Sequence, residues 1–273
     1  MTKLLRFVIN LLLVLFSVTC VFPIIWIIYS SLKTQAEFAV NSVGLPMAVT
    51  FENYLSVLRE TNMVRYVANS AIVSVVTVAA IVLLAFIIGY FLARFSFRGR
   101  NFIYTYLLVG MLLPIHALLV PIYINLRDIN MLNRQLTLVL PYVAFGLPTA
   151  MVLTEGFVRT LPTTFEEAAA IDGSSFARTL FTIILPLTMP ILATITIIQF
   201  FGSWNEFSFS LVLISDDSLR TIPVGLTMFK SIYEVNYPRL MAGMMTSLLP
   251  VMILYFIFSD RIIQGMTAGA IKG

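Results

Sequence analysis

The chain has 273 residues, 59% of them hydrophobic and only 11% charged, with a formal net charge of +4 and a mean hydropathy of +0.96. Soluble domains carry about 25% charge, so the composition excludes an ordinary water-soluble globule and describes a membrane protein. Basic residues are not massed in runs, which argues against nucleic-acid binding, and the single cysteine, Cys20, allows no intrachain disulfide and no cysteine metal site.

The first long apolar run covers about 7–32. It is too long for a signal-peptide core and reads as a retained span, since roughly 20 residues cross the hydrocarbon. Cys20 lies within it. The preceding Ser17-Val18-Thr19 lacks the pattern of a lipoprotein site, so Cys20 is expected to be a small buried apolar side chain. A polar outer loop of about 33–66 follows, with a short interfacial helix expected from Phe51 to Leu58.

Five further apolar runs cover about 67–94, 102–125, 136–158, 188–214 and 242–260. All are expected to be helices, because unpaired backbone in lipid is too costly and the runs are too long for barrel strands. In the second run Ala85, Gly89 and Ala93 recur at a spacing of four and would let another helix approach closely. In the third, His116 stands between Pro114 and Pro121. It is expected to bond a carbonyl freed by a proline, with a proton relay as the alternative. The fifth holds Trp204-Asn205-Glu206-Phe207 and Ser208. An ionised carboxylate at the bilayer centre costs roughly 2.5–3.5 kcal/mol, so Glu206 is expected to face a cavity or a partner. Trp204, Asn205, Glu206 and Ser208 offer an aromatic face and hydrogen-bonding groups to a substrate path; pairing of Glu206 with a neighbouring helix, or a place in water near the outer end of the span, is the alternative. Tyr233 and Tyr237, in the loop after this run, read as interface anchors.

The 17 Lys and Arg divide almost evenly between the two sides of such a topology. The tight group Arg94, Arg98 and Arg100 tips the balance, placing that loop and both termini inside.

The segment between the fourth and fifth runs is the polar exception, 159–187. Glu166 and Glu167 precede Ala168-Ala169-Ala170, a strong helix former, with the acids where the macrodipole favours them. Asp172-Gly173 should end that helix, and Ser174 or Ser175 should cap a second one from about Phe176. Pro162 and Pro186 are read as its two ends.

The full spacing is Glu-Ala-Ala, three residues, Gly173, nine residues, then Ile183-Ile184-Leu185-Pro186. It resembles the cytoplasmic coupling loop of type I ABC importer permeases. Asn53-Tyr54, Asn69-Ser70, Pro114 and Pro121 with Ile122-Tyr123, Trp204-Asn205-Glu206-Phe207 and the tail 265–273 resemble the carbohydrate branch, in particular the second permease subunit of maltose-type systems. The resemblance covers nearly the whole chain. It implies an all-α membrane protein of six transmembrane helices with a coupling helix between spans four and five. It divides the chain into an N-terminal span and outer loop (1–66), a core (67–264) and a cytoplasmic tail (265–273). It carries ATPase coupling onto Glu167, Ala168, Ala169, Asp172 and Gly173. The tail is expected either to reach between ATPase subunits or to be a disordered end.

The implied function is a permease subunit that moves a sugar or oligosaccharide across a prokaryotic inner membrane. No phosphate-binding loop and no nucleophile–base set occurs in the chain, so it is expected to be no enzyme and to hold no cofactor or metal. ATP and magnesium belong to two separate ATPase subunits. A second homologous permease, an extracytoplasmic sugar-binding protein and the lipid bilayer complete the expected partners. An importer for a non-sugar solute, an ion-driven secondary carrier and a purely structural subunit are the alternatives.

Overall fold

The computed structural model describes residues 3–229 and 235–270, with the side chains of 254–255 and 257–270 outside that description. Among the described residues the elements are helical. In order they are α1 (Lys3–Ser30), α2 (Gln35–Val40), α3 (Glu52–Glu60), α4 (Met63–Arg94), α5 (Arg100–Gly110), α6 (Leu119–Asp128) and α7 (Gln135–Val158). Then come α8 (Thr164–Ile171), α9 (Phe176–Thr179), α10 (Leu185–Trp204), α11 (Ser208–Leu213), α12 (Ile222–Gly225) and α13 (Tyr237–Ala270).

Four helical stretches are long and apolar enough to cross a membrane: Lys3–Ser30, Met63–Arg94, Gln135–Val158 and Phe176–Trp204. A fifth appears if Arg100–Gly110 and Ile115–Asp128 count as one span bent by 93°. The last apolar run lies in α13, which remains helical through Ala270; residues 271–273 of the tail, like Tyr233, fall outside the described set. Several span hydroxyls find acceptors within their own helices, although those of Ser30, Ser74 and Thr77 are buried without a hydrogen-bond partner among the described residues. Ser17, Thr19, Thr154, Thr188 and Thr196 each donate to the carbonyl four residues back, as suits a polar group in hydrocarbon.

Three expectations are corrected. The third run is not one straight helix. Pro114 has no N–H to continue the ladder and sits extended at φ −65°, ψ 113°, so the chain turns there. The fifth helix does not start near 188 but at Phe176. A single π turn over Leu180–Ile184, in which the Leu185 N–H reaches the Leu180 carbonyl, lets the helix pass Pro186 without breaking. That helix stops at Trp204, and α11 follows after a three-residue gap. Cys20 is exposed rather than buried, because none of the apolar window of α1 is covered by the other described residues.

The chain forms two compact units, Met1–Val64 with Gly225–Ile253, and Arg65–Val224 with Leu254–Gly273. In the first, Lys33 is fully buried. Its ammonium donates to the carbonyls of Asn41 and Gly44, at 2.8 and 2.5 Å, and lies over the Tyr29 and Phe38 rings. This fixes the outer loop around a solvated-by-protein cation. The interfacial helix forms as α3 and is tied to α13 by an Arg239–Glu60 ion pair of 2.8 Å. Tyr237 stacks on Phe38 at 5.5 Å.

The second unit has two apolar clusters. One packs Ile81, Phe86 and Tyr90 of α4 against Ala150 and Val158 of α7, Leu180 and Ile184 of the π turn, and Leu192 and Ile195 of α10. The other gathers Val73, Leu126, Leu138, Tyr142, Phe209 and Leu213. The small-residue stripe behaves as its spacing implies: Ala85 is fully buried, and Gly89 lies directly on Thr154.

Candidate coupling site

Residues 163–176 form the helix–turn–helix expected from the sequence. Glu166 and Glu167 occupy the first turn of α8, and the Thr163 hydroxyl donates to the Glu167 carboxylate at 2.9 Å. The far end is a Schellman motif: the Ser174 N–H bonds the Ala169 carbonyl at 2.9 Å and the Gly173 N–H bonds the Ala170 carbonyl at 3.1 Å. Gly173 supplies the left-handed residue this needs, φ +73°. Ser175 then caps α9, accepting from the Arg178 N–H at 3.4 Å.

Glu167, Ala168, Asp172 and Gly173 are exposed together with Ile171, which is 87% exposed. Ala169 instead turns inward, with 5% of its surface accessible. The five expected coupling residues therefore split: four face outward, and one packs the helix onto its own protein.

Sequence reasoning missed what holds α8 in place. Arg94, at the last residue of α4, reaches the Glu166 carboxylate through Nε at 2.7 Å and the Leu161 carbonyl through Nη2 at 2.8 Å. Glu155, 5% exposed in the last turn of α7, pairs with Arg159 at 2.5 Å and Arg100 at 3.4 Å. Arg100 also donates to the Leu92 carbonyl of α4 at 2.8 Å. An acid inside an apolar run was the one available signal for Glu155. On the other side of the turn, Phe176 packs among Tyr90, Phe91 and Phe95, with ring centroids 5.8 to 6.2 Å away.

The expected sugar-path residues stand where the fifth helix ends: Trp204 is its last residue, and Asn205, Glu206 and Ser208 follow it. Trp204 is 4% exposed and stacks on Phe200 at 5.3 Å. Glu206 is engaged internally: it accepts from the Tyr142 hydroxyl at 2.6 Å and from the Phe209 and Ser210 N–H groups at 2.8 and 3.2 Å, so it caps α11. Asn205 is exposed and Ser208 half-buried. His116 makes no side-chain hydrogen bond among the described residues, whereas Gln199 donates to the Gly146 carbonyl at 3.3 Å.

Residues 81–267 match the family described as binding-protein-dependent transport system inner membrane component. The chain belongs to this family. It is 38% identical over 252 residues to a putative ABC transporter permease protein, ORF2, of Caldicellulosiruptor sp. strain Rt8B.4, covering 92% of this chain and 91% of that one. It is 32% identical over 266 residues to the trehalose/maltose transport system permease protein MalG of Thermococcus litoralis, covering 95% and 94%. Among solved structures it shares the fold of a chain in a bacterial ABC transporter involved in the import of the acidic polysaccharide alginate. That superposition has a TM-score of 0.84 at 23% identity, covering 94% of this chain and 96% of that one. The family match begins within α4 and takes in Arg94, Glu155, the whole of α8 and the end of α10, so the site lies inside the family's own region.

Proposed function

We propose that this chain is one of two homologous permease subunits of an ATP-driven importer for a sugar or oligosaccharide, and that the outward face of α8 is where an ATPase subunit docks. The observation that carries the reading is α8 itself. It is a short helix joining two apolar helices, sealed at its end by a Schellman motif, with Glu167, Ala168, Ile171 and Asp172 turned outward. A protein this poor in charge has no internal need for that face. Alanine at 168 keeps it slim enough for a cleft, and Glu167 offers a carboxylate to a basic partner. The sugar assignment rests on the relatives: MalG of T. litoralis is named for trehalose and maltose, and the alginate importer shares the fold.

In this reading the bent pair Arg100–Asp128 is the third span and α13 the sixth, which puts both termini in the cytoplasm with α8. ATP and magnesium are bound by two ATPase subunits. An extracytoplasmic binding protein delivers the sugar; a second alginate-transporter structure of the same fold, with a TM-score of 0.70, is a complex with an alginate-loaded periplasmic protein. Closure of the ATPases draws the coupling helices together and turns the cavity outward.

Gentle affinity purification from the native membrane, followed by mass spectrometry, tests this. An ATPase, a second permease and a solute-binding protein that binds sugars are expected. A binding protein selective for amino acids, peptides or phosphate would overturn the sugar assignment. A chain that purifies alone and transports in vesicles without ATP would replace the importer with a secondary carrier.

A further inference from the structure

The coupling loop is joined covalently to α7 and α10, and both of its arms also carry side-chain contacts to the end of α4. Both arms of the helix–turn–helix grip the last turns of that helix. On the first arm, Arg94 binds the α8 carboxylate Glu166 and the Leu161 carbonyl ahead of it. On the second arm, Phe176, half-exposed, packs one side of its ring against Tyr90, Phe91 and Phe95. The ionic grip is well shielded, with side-chain exposures of 11% for Arg94 and 19% for Glu166. The second oxygen of Glu166 is buried with no hydrogen-bond partner, so Arg94 carries nearly all of the compensation for that carboxylate. Just above, α4 cannot slide on α7: the space at Gly89 is closed by Thr154, and Arg100 bridges Glu155 of α7 to Leu92 of α4.

From this geometry we infer that α4 receives the ATPase stroke, and that Arg94 is the positioning residue that passes it there from α8. The inference rests on the docking of an ATPase at α8. A push on α8 along the chain alone would reach α7 through the 159–163 connection and α10 through α9. The first route runs through the connection around Pro162, and the second through the turn at Gly173. The Arg94 fork bridges the first connection, holding Leu161 and Glu166 on either side of Pro162. A bidentate guanidinium holds two acceptors in fixed directions, which a flexible ammonium does not. Movement of α8 therefore carries the end of α4 with it, and Gly89 passes that movement on to α7 as one body.

The test uses the intact importer in vesicles, loaded by binding protein purified from native cells with its own sugar aboard. The readout is sugar delivered per ATP hydrolysed, a ratio that a merely structural loss of assembled complex does not change. Arg94→Lys and Glu166→Gln are each expected to lower it about tenfold while hydrolysis continues, a typical size for coupling between sites. Arg94→Glu combined with Glu166→Arg should regain part of what either reversal alone loses. A wild-type ratio in both Arg94→Lys and Glu166→Gln, or a double reversal no better than the single ones, would overturn the role of Arg94. Wild-type vesicles that move no sugar with ATP would instead overturn the importer reading itself.

Discussion

A methyl group placed on Gly89 would lie 2.8 Å from Cβ of Thr154, 2.9 Å from its Cγ2 and 3.0 Å from the Glu155 backbone nitrogen. At this point α4 and α7 are in backbone contact, and neither neighbour can yield without moving a helix. Gly89→Ala is therefore expected to cost about 1–3 kcal/mol, the usual size of an overpacking penalty. Thermal unfolding of the purified complex, followed by intrinsic fluorescence, measures it. A melting temperature unchanged by Gly89→Leu would mean that the two helices are not in contact there.

Glu155 and its two arginines should respond unequally to removal. Its side chain is 7% exposed, whereas that of Arg159 is 52% exposed. Glu155→Ala leaves two guanidiniums without their shared acid and is expected to cost about 1–3 kcal/mol. Arg159→Ala breaks an exposed pair and should cost under about 1 kcal/mol. Parallel melts of the two variants decide the matter, and equal losses would contradict the burial.

Gly173 separates conformational strain from steric exclusion. An added Cβ meets nothing within 4 Å, so a larger side chain fits the chain itself, but at φ +73° an L residue is strained by about 1–2 kcal/mol. Gly173→Asp should leave the spans folded, with a modest fall in melting temperature, and should lower ATP-coupled uptake by far more than that fall explains. Equal uptake by variant and parent, at matched complex levels, would remove Gly173 from the docking surface.

Glu206 and its neighbour Asn205 should part company as well. Glu206→Ala strips two α11 N–H groups and the Tyr142 hydroxyl of their acceptor and is expected to destabilise by about 1–3 kcal/mol. Asn205 is exposed, donating to the Phe201 carbonyl at 3.0 Å, so Asn205→Ala should leave the melt nearly unchanged and show its effect, if it lines the path, in the half-saturating concentration of binding protein. A stable Glu206→Ala protein with altered sugar selectivity would move Glu206 from the α11 cap into the path.

Local chemistry was legible in the sequence; contacts across distance were not. Asp172-Gly173 announced the end of α8 and Ser175 the start of α9, because both are set by residues within one turn. The Gly89 stripe was readable from its spacing alone. The start of the fifth helix was misplaced because Pro186 reads as a boundary, and nothing local reveals that a π turn will shift the hydrogen-bond ladder past it. Pro114 marked a weak point in the third run, but the size of the bend is set by the packing on either side. Arg94 and Glu166 are 72 positions apart, so the arginine that anchors α8 was visible only as a charge used to orient the loops. Glu206 was correctly singled out as an acid needing partners, and those partners proved to be Tyr142 and its own downstream backbone.

None of the apolar window of α1 is covered by the other described residues. Its backbone is satisfied within the helix and its side chains are content in hydrocarbon, so α1 is complete the moment it enters the bilayer. The core built by α4, α7 and α10 has no such independence, since Ile81, Ala150 and Ile195 are buried in one cluster that all three helices share. The two parts of this chain therefore differ in what they need: α1 is complete in lipid by itself, whereas α4, α7 and α10 bury their apolar faces only together.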